Sequence, residues 1–137
     1  MTLLVDTNVW IAAHDERDPD HQRCAQVVRT RAGELVAPPT VVAETAWLLE
    51  DRHGPAAEAS FLRLITAGAL GVIDLTARDW RRCVELIETY AELGLGLVDA
   101  SVVAVAERLG LTEVATMNTR DFSVVRPAHI EALTLLP

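Results

Sequence analysis

The sequence contains no lysine: all twelve of its basic residues are arginine. A P-loop uses a lysine to hold nucleotide phosphates, and enzymes that form Schiff bases use a lysine amine. The composition therefore excludes both of these classes. Basic residues are also outnumbered by 20 acidic ones, which gives a net charge of −8. Proteins that coat nucleic acids present broad basic surfaces, so the charge argues against that class. It does not exclude a nuclease, because bound cations offset acidic charge where a phosphate approaches.

Cysteines and long apolar runs are also scarce. The two cysteines, Cys24 and Cys83, occupy apolar positions of predicted helices, and we expect them to pack in the core. No apolar run reaches the roughly 18 residues of a membrane span, and Met1 leads almost directly into a strand without a secretory signal. We therefore expect a cytoplasmic protein with no membrane segment. The length of 137 residues predicts a single domain covering residues 1–137.

The first predicted strand, within residues 2–8, ends in a carboxylate. Apolar residues Leu3 to Val5 precede Asp6, which is followed by Thr7 and Asn8. Ligands of open α/β sheets bind at the carboxyl ends of strands, so Asp6 is a candidate site residue. The alternative is that Asp6 only caps the following helix.

Three further acids favour the first interpretation. Glu44, Asp99 and Asp121 each occur in a stretch that is expected to be buried. A carboxylate is rarely buried unless it is paired, hydrogen-bonded or bound to a metal. Cationic residues are scarce near these acids, and converging carboxylates repel one another unless a divalent cation lies among them. The pattern predicts a Mg²⁺ or Mn²⁺ site.

The predicted elements alternate between strands and helices, which indicates an α/β fold with a mainly parallel central sheet flanked by helices. Helices are predicted to start after Asp18-Pro19 and at Thr40. Asp99 falls in the first turn of a helix that runs to Leu109, and residues 113–117 form a buried strand. Residues 122–125 are predicted to be extended.

Two further short strands are predicted at residues 35–37 and 70–75. The segment from Thr76 to Asp79 resembles a capping box with Asp in place of Glu. The helix that it starts is predicted to pack one face that includes Trp80 and Val84.

Taken in order, these motifs resemble those of PIN-domain ribonucleases, and particularly the VapC toxins of bacterial type II toxin–antitoxin pairs. The resemblance covers nearly the whole chain. It rests on four segments: Val5-Asp6-Thr7-Asn8, Glu44 in an apolar helix, Leu97-Val98-Asp99-Ala100, and Thr116-Met117-Asn118-Thr119-Arg120-Asp121-Phe122. It implies a PIN-like three-layer sandwich.

The resemblance also implies a function: Mg²⁺-dependent hydrolysis of single-stranded or loop RNA by an endoribonuclease toxin. Asp6, Glu44, Asp99 and Asp121 would form the acidic pocket, with Asp6 and Asp99 as the principal metal ligands. Glu44 would bind the same ion or orient the attacking water, and Asp121 would favour a second ion. The implied supporting residues are Asn8, Thr116 and Asn118. Many PIN domains have an aspartate where this chain has Asn118, which weakens the case for a second tightly bound metal ion.

The implied partners are RNA, a cognate VapB-like antitoxin and a second copy of the chain in a homodimer. Arg120, beside the last motif, is a candidate contact for RNA. Arg78, Arg81 and Arg82 share one polar helix face, which is more typical of a solvated surface than of an RNA site.

Three alternatives compete with this interpretation, and the first two require residues that the chain lacks. A phosphatase of the haloacid-dehalogenase type needs a second aspartate where this chain has Asn8, and it also needs a lysine. A phospho-accepting receiver domain likewise needs a lysine. The third alternative is a catalytically silent PIN fold that acts only as an interaction module.

Overall fold

The computed structural model describes all residues from Met1 to Pro137. Its centre is a sheet of five strands in the order β3-β2-β1-β4-β5, and every neighbouring pair is parallel. The predicted α/β class is therefore confirmed, and the sheet is wholly rather than mainly parallel. The strands are β1 (Leu3–Val5), β2 (Leu35–Ala37), β3 (Gly71–Val72), β4 (Glu113–Ala115) and β5 (Thr134–Leu136).

Seven helices flank the sheet, because parallel strands require crossover connections and these are usually helical. None of them combines the length and apolar composition that a bilayer span requires. The helices are α1 (Thr7–His14), α2 (His21–Thr30), α3 (Pro39–His53), α4 (Pro55–Thr66), α5 (Ala77–Thr89), α6 (Leu97–Leu109) and α7 (Thr119–Val124).

The core is built around β1 and α6. β1 lies between β2 and β4, and its three residues are completely buried, which explains why that strand reads as an unbroken apolar run. In α6 the small and β-branched residues 100–106 are all buried. Cys24 and Cys83 are free thiols in the same core, as predicted.

Two helices begin at other residues than the sequence predicts. α2 begins at His21 instead of directly after Asp18-Pro19, because the Asp18 side chain accepts a hydrogen bond from the backbone N–H of Asp20 and stabilises a preceding turn. α3 begins at Pro39, so Thr40 lies inside the helix, where its hydroxyl is hydrogen-bonded to that of Ser101.

The inward face of α5 also differs from the prediction. Trp80 and Val84 were expected on the packed face, but they are 48% and 56% exposed. The buried positions are Asp79, Cys83 and Leu86. Asp79 tolerates burial because it completes the predicted capping box with Thr76 and forms an ion pair with Arg108 at 2.9 Å.

The prediction that residues 122–125 are extended is wrong, because most of this segment belongs to the short helix α7. The Asn118 side chain caps that helix by accepting a hydrogen bond from the N–H of Asp121 at 3.4 Å. Two strands are also shorter than predicted. β3 covers Gly71–Val72 where a strand at residues 70–75 was predicted, and β4 covers Glu113–Ala115 where residues 113–117 were predicted.

Candidate active site

Asp6 lies directly after β1 and is 3% exposed. One carboxylate oxygen accepts the backbone N–H of Thr7 at 2.8 Å and the other accepts the Thr116 hydroxyl at 2.8 Å. Burial raises the pKa of Asp6, while these two hydrogen bonds act in the opposite direction. Asp6 is the N-cap of α1, and it also lines a surface cleft, so capping is not its only possible role.

The ends of β1 and β4 are joined by polar side chains. Val5 is paired with Ala115, which places Asp6 beside Thr116. The Thr116 hydroxyl is almost completely buried and also accepts the N–H of Asn118 at 3.0 Å. The Asn8 amide oxygen accepts the N–H of Met117 at 2.9 Å. The two predicted supporting residues Asn8 and Thr116 therefore fix the loop after β4 against the start of α1.

Asp99 lies in the first turn of α6, as predicted, and is half-buried. Its pKa is raised to about 7, first by burial and then by the negative charges of Asp6, Asp121 and Glu44. A hydrogen bond from Asn118 offsets part of this rise. The negative charges of the other three acids therefore act on Asp99. The contacts agree with this: Asp6, Glu44 and Asp99 line one cleft, and Asn118 donates hydrogen bonds to both Asp99 and Asp121.

Glu44 departs from the expectation in one respect. It was expected to be buried, but it is exposed on α3, on a face that borders the cleft. Only part of the apolar stretch around it is buried: Val41, Ala46 and Leu49 pack in the core, whereas Trp47 is 63% exposed. Glu44 is thus the solvent-facing acid of the group.

Asn118 connects the remaining two acids. Its side-chain N–H₂ group donates to Asp99 at 3.2 Å and to Asp121 at 3.0 Å. The second oxygen of Asp121 is buried and has no hydrogen-bond partner. The nearest cation to it is Arg120, which is 3.7 Å away and whose side chain is 80% exposed. The Asn118 amide therefore lies between two carboxylates, a position that a cation would also favour.

These residues surround a cleft of about 510 Å³. Asp6, Asn8, Glu44, Asp99 and Asn118 line it, whereas Asp121 lies behind Asn118 and is not in the wall. The remaining lining residues include two that the sequence did not indicate, Asp18 and Arg52. Arg52 could have been predicted from its spacing, because it follows Glu44 by eight residues on the same helix and therefore lies on a similar face.

Two comparisons identify the family. The model of the PIN domain family matches residues 3–126. Ribonuclease VapC26 of Mycobacterium tuberculosis is 30% identical over 135 residues, which cover 98% of this chain and 100% of the relative. The chain is a PIN-domain protein of the VapC type. This membership removes the phosphatase and receiver-domain alternatives.

Solved VapC structures have the same fold. VapC20 of Mycobacterium tuberculosis, a toxin that cleaves the sarcin-ricin loop, superposes with a TM-score of 0.83 at 22% identity. The match covers 94% of this chain and 98% of VapC20. VapBC2 of Rickettsia felis, bound to a DNA fragment from its promoter, matches with a TM-score of 0.72 at 18% identity over the full length of both chains.

The PIN-domain pocket has the donor chemistry for a hard divalent cation. Carboxylate and amide oxygens are the ligands that Mg²⁺ and Mn²⁺ favour. The partnerless oxygen of Asp121 and the raised pKa of Asp99 both indicate unbalanced negative charge. No three carboxylates already have the arrangement of a metal site.

Proposed function

We propose that this PIN-domain protein is a Mg²⁺-dependent endoribonuclease toxin of a VapBC-type pair, which hydrolyses phosphodiester bonds in single-stranded or loop RNA. The observation that carries the proposal is that Asp6, Glu44 and Asp99 line one cleft. Asp121 is joined to this group through the hydrogen bonds that Asn118 donates to it and to Asp99. The ribonuclease name of the VapC26 relative and the RNA-cleaving description of VapC20 support the same activity.

Asp6 and Asp99 are the proposed principal metal ligands. Both line the cleft, and both have raised pKa values, so a cation gains more from them than from a carboxylate in water. When bound, Mg²⁺ or Mn²⁺ lowers the pKa of a coordinated water and neutralises charge on the scissile phosphate. Thr116 and the N–H of Thr7 hold Asp6 in one orientation, which is the role expected of groups that support a ligand.

The other two acids have supporting roles. Glu44 is exposed on the cleft wall, and its proposed role is to bind the same ion or to orient the attacking water. Asp121 acts through Asn118 and contributes to a second ion only when that amide moves away. Because Asp99 has a pKa of about 7, part of the metal-free population carries a proton on this group at neutral pH. Binding of a cation therefore competes with that proton.

The proposed protein partners are a VapB-like antitoxin and a second copy of the chain. Structural relatives are toxin–antitoxin complexes, including DNA-bound VapBC of Salmonella typhimurium and FitAB on a DNA fragment. Exposed Trp47, Trp80 and Val84 provide apolar surface of the kind that protein interfaces bury. Arg120 is exposed beside Asp121, where it is accessible to RNA phosphates.

A catalytically silent interaction module is the alternative, and one observation favours it. The Asn118 amide donates one hydrogen bond to Asp99 and one to Asp121, so the two acids are already connected in the metal-free pocket, although the other oxygen of Asp121 has no partner. The two proposals differ in whether a divalent ion enables the chain to cleave RNA.

The deciding experiment is incubation of total and structured RNA with the purified chain in Mg²⁺, in Mn²⁺ and in EDTA. Asp99→Asn removes one ligand charge and keeps the shape of the side chain. Asp51→Asn, at an exposed carboxylate of α3 outside the cleft, is the matched control. We expect metal-dependent cleavage by the wild type and the control, and its loss in Asp99→Asn. A folded wild type that cuts no RNA with either metal would favour the interaction module.

A further inference from the structure

Arg52 differs from the other eleven arginines in its position. It is the only basic residue among those that line the acidic cleft. Glu44, Leu48 and Arg52 follow one another at intervals of four residues on α3, and all three border the cleft. At a rise of 1.5 Å per residue, Arg52 lies about 12 Å along the helix from Glu44. The cleft thus has an acidic end and a cationic end.

The Arg52 guanidinium has no partner within the protein. Arg31, Arg82 and Arg108 are held in ion pairs by acids on other elements. Arg52 forms neither an ion pair nor a hydrogen bond, although the Asp18 carboxylate also lines the cleft. Its donors are therefore free, and a guanidinium has the planar geometry that binds phosphate through two parallel hydrogen bonds.

The charge of the rest of the cleft explains why such a residue would matter. Asp6, Asp18, Glu44 and Asp99 make the wall acidic. A bound cation offsets this charge only near the scissile linkage, so a neighbouring phosphate of the same strand would be repelled. An arginine further along the wall supplies the missing attraction. Leu48, which is four residues from both Glu44 and Arg52 on α3, provides an apolar surface between the two ends.

From this arrangement we propose that Arg52 binds a phosphate next to the scissile one and so sets the register of the RNA strand in the cleft. The inference rests on the proposed ribonuclease function and adds a residue that binds substrate outside the metal pocket. Arg52 acts on binding, and the carboxylates act on the chemical step. The two contributions are therefore separable in kinetics.

The test compares Arg52→Gln and Arg52→Lys with Arg63→Gln, an exposed α4 arginine that has no ion pair and lies outside the cleft. Cleavage of a short single-stranded RNA is measured across a range of salt concentrations. For Arg52→Gln we expect KM to rise about five- to tenfold with kcat largely retained. The slope of log affinity against log salt should decrease by about 0.7, the loss of one phosphate contact to single-stranded RNA.

Arg52→Lys should keep the salt slope and recover part of the affinity, because it keeps the charge but not the planar geometry. Arg63→Gln should match the wild type. Unchanged KM and slope in Arg52→Gln would overturn the inference while leaving the ribonuclease function intact. Weaker capture of a co-expressed antitoxin with unchanged RNA kinetics would also overturn it, by assigning Arg52 to a protein partner.

Binding of the same RNA to Asp99→Asn, with and without the Arg52 change, separates this inference from the proposed function. If the wild type cuts no RNA but Asp99→Asn binds it through Arg52, only the catalytic proposal fails. If no form of the chain binds RNA, both fail.

Discussion

Replacing Asp99 by asparagine should stabilise the metal-free protein at pH 8. The pKa of Asp99 rises from 3.8 to about 7 on folding, because the group is desolvated and faces three other acids. Below about pH 4 the group is protonated in both states and carries no penalty. As the pH rises towards 7 the unfolded state loses its proton first, so the fold becomes less stable, and above pH 7 the full penalty is present.

The size of the effect follows from the shift. Each pKa unit corresponds to about 1.4 kcal/mol, and solvent screening of this half-buried group reduces the total to roughly 2 kcal/mol. For a chain of this length, that difference raises Tm by about 6 to 10 °C. Asparagine has no charge to desolvate, and its side-chain oxygen can still accept the hydrogen bond that Asn118 donates to Asp99.

Thermal unfolding in EDTA, from pH 5 to pH 8.5, measures the effect, with Asp51→Asn as the control. The wild type should lose stability relative to Asp99→Asn as the pH rises, and the control should follow the wild type. In saturating Mn²⁺ the order should reverse, because an ion at 100 times its Kd adds about 2.7 kcal/mol to the form that binds it. An Asp99→Asn variant that is no more stable than wild type at pH 8 in EDTA would refute the reasoning.

Three further substitutions test the surroundings of the site. Thr116→Val leaves a buried oxygen of Asp6 without its donor and should lower the free energy of unfolding by about 2 kcal/mol in urea titrations, whereas Thr116→Ser should not. Asn118→Asp adds a charge among the acids, so it should destabilise the metal-free protein at pH 8 and tighten Mn²⁺ binding in calorimetry. Asp79→Ala removes the capping box of α5 and the partner of Arg108, and should cost about 2 to 3 kcal/mol; equal stability in a denaturant titration would contradict the role assigned to that pair.

The sequence predicted the features that depend on local patterns. The apolar run before Asp6 and the strand at residues 35–37 are where a parallel sheet requires them. Asp99 falls in the first turn of α6 because Gly94 and Gly96 interrupt the chain just before that helix. These predictions succeeded because hydrophobic periodicity and helix boundaries are properties of neighbouring residues.

The predictions that failed depended on contacts between distant residues. The buried face of α5 is set by the ion pair between Asp79 and Arg108, which are 29 residues apart. Without knowledge of that pair, the apolar spacing of α5 predicts that Trp80 is buried. Arg52 likewise became visible as part of the cleft only when α3 was placed beside α1 and α6.

The contacts of Asn118 within the site were likewise not predictable from the sequence. Its identity indicated a weaker metal ligand, but the sequence did not reveal that its amide joins Asp99 and Asp121. The exposure of Glu44 was also hidden, because apolar neighbours in a helix can point away from the residue they flank.

The most direct test of the proposed metal centre is a crystal soaked in Mn²⁺ and measured at a wavelength where manganese scatters anomalously. We expect a peak about 2.1 Å from carboxylate oxygens of Asp6 and Asp99, with the Asn118 amide displaced from Asp99. A fully soaked crystal that shows no peak in the cleft, and in which Asn118 still joins Asp99 to Asp121, would contradict the metal-dependent mechanism.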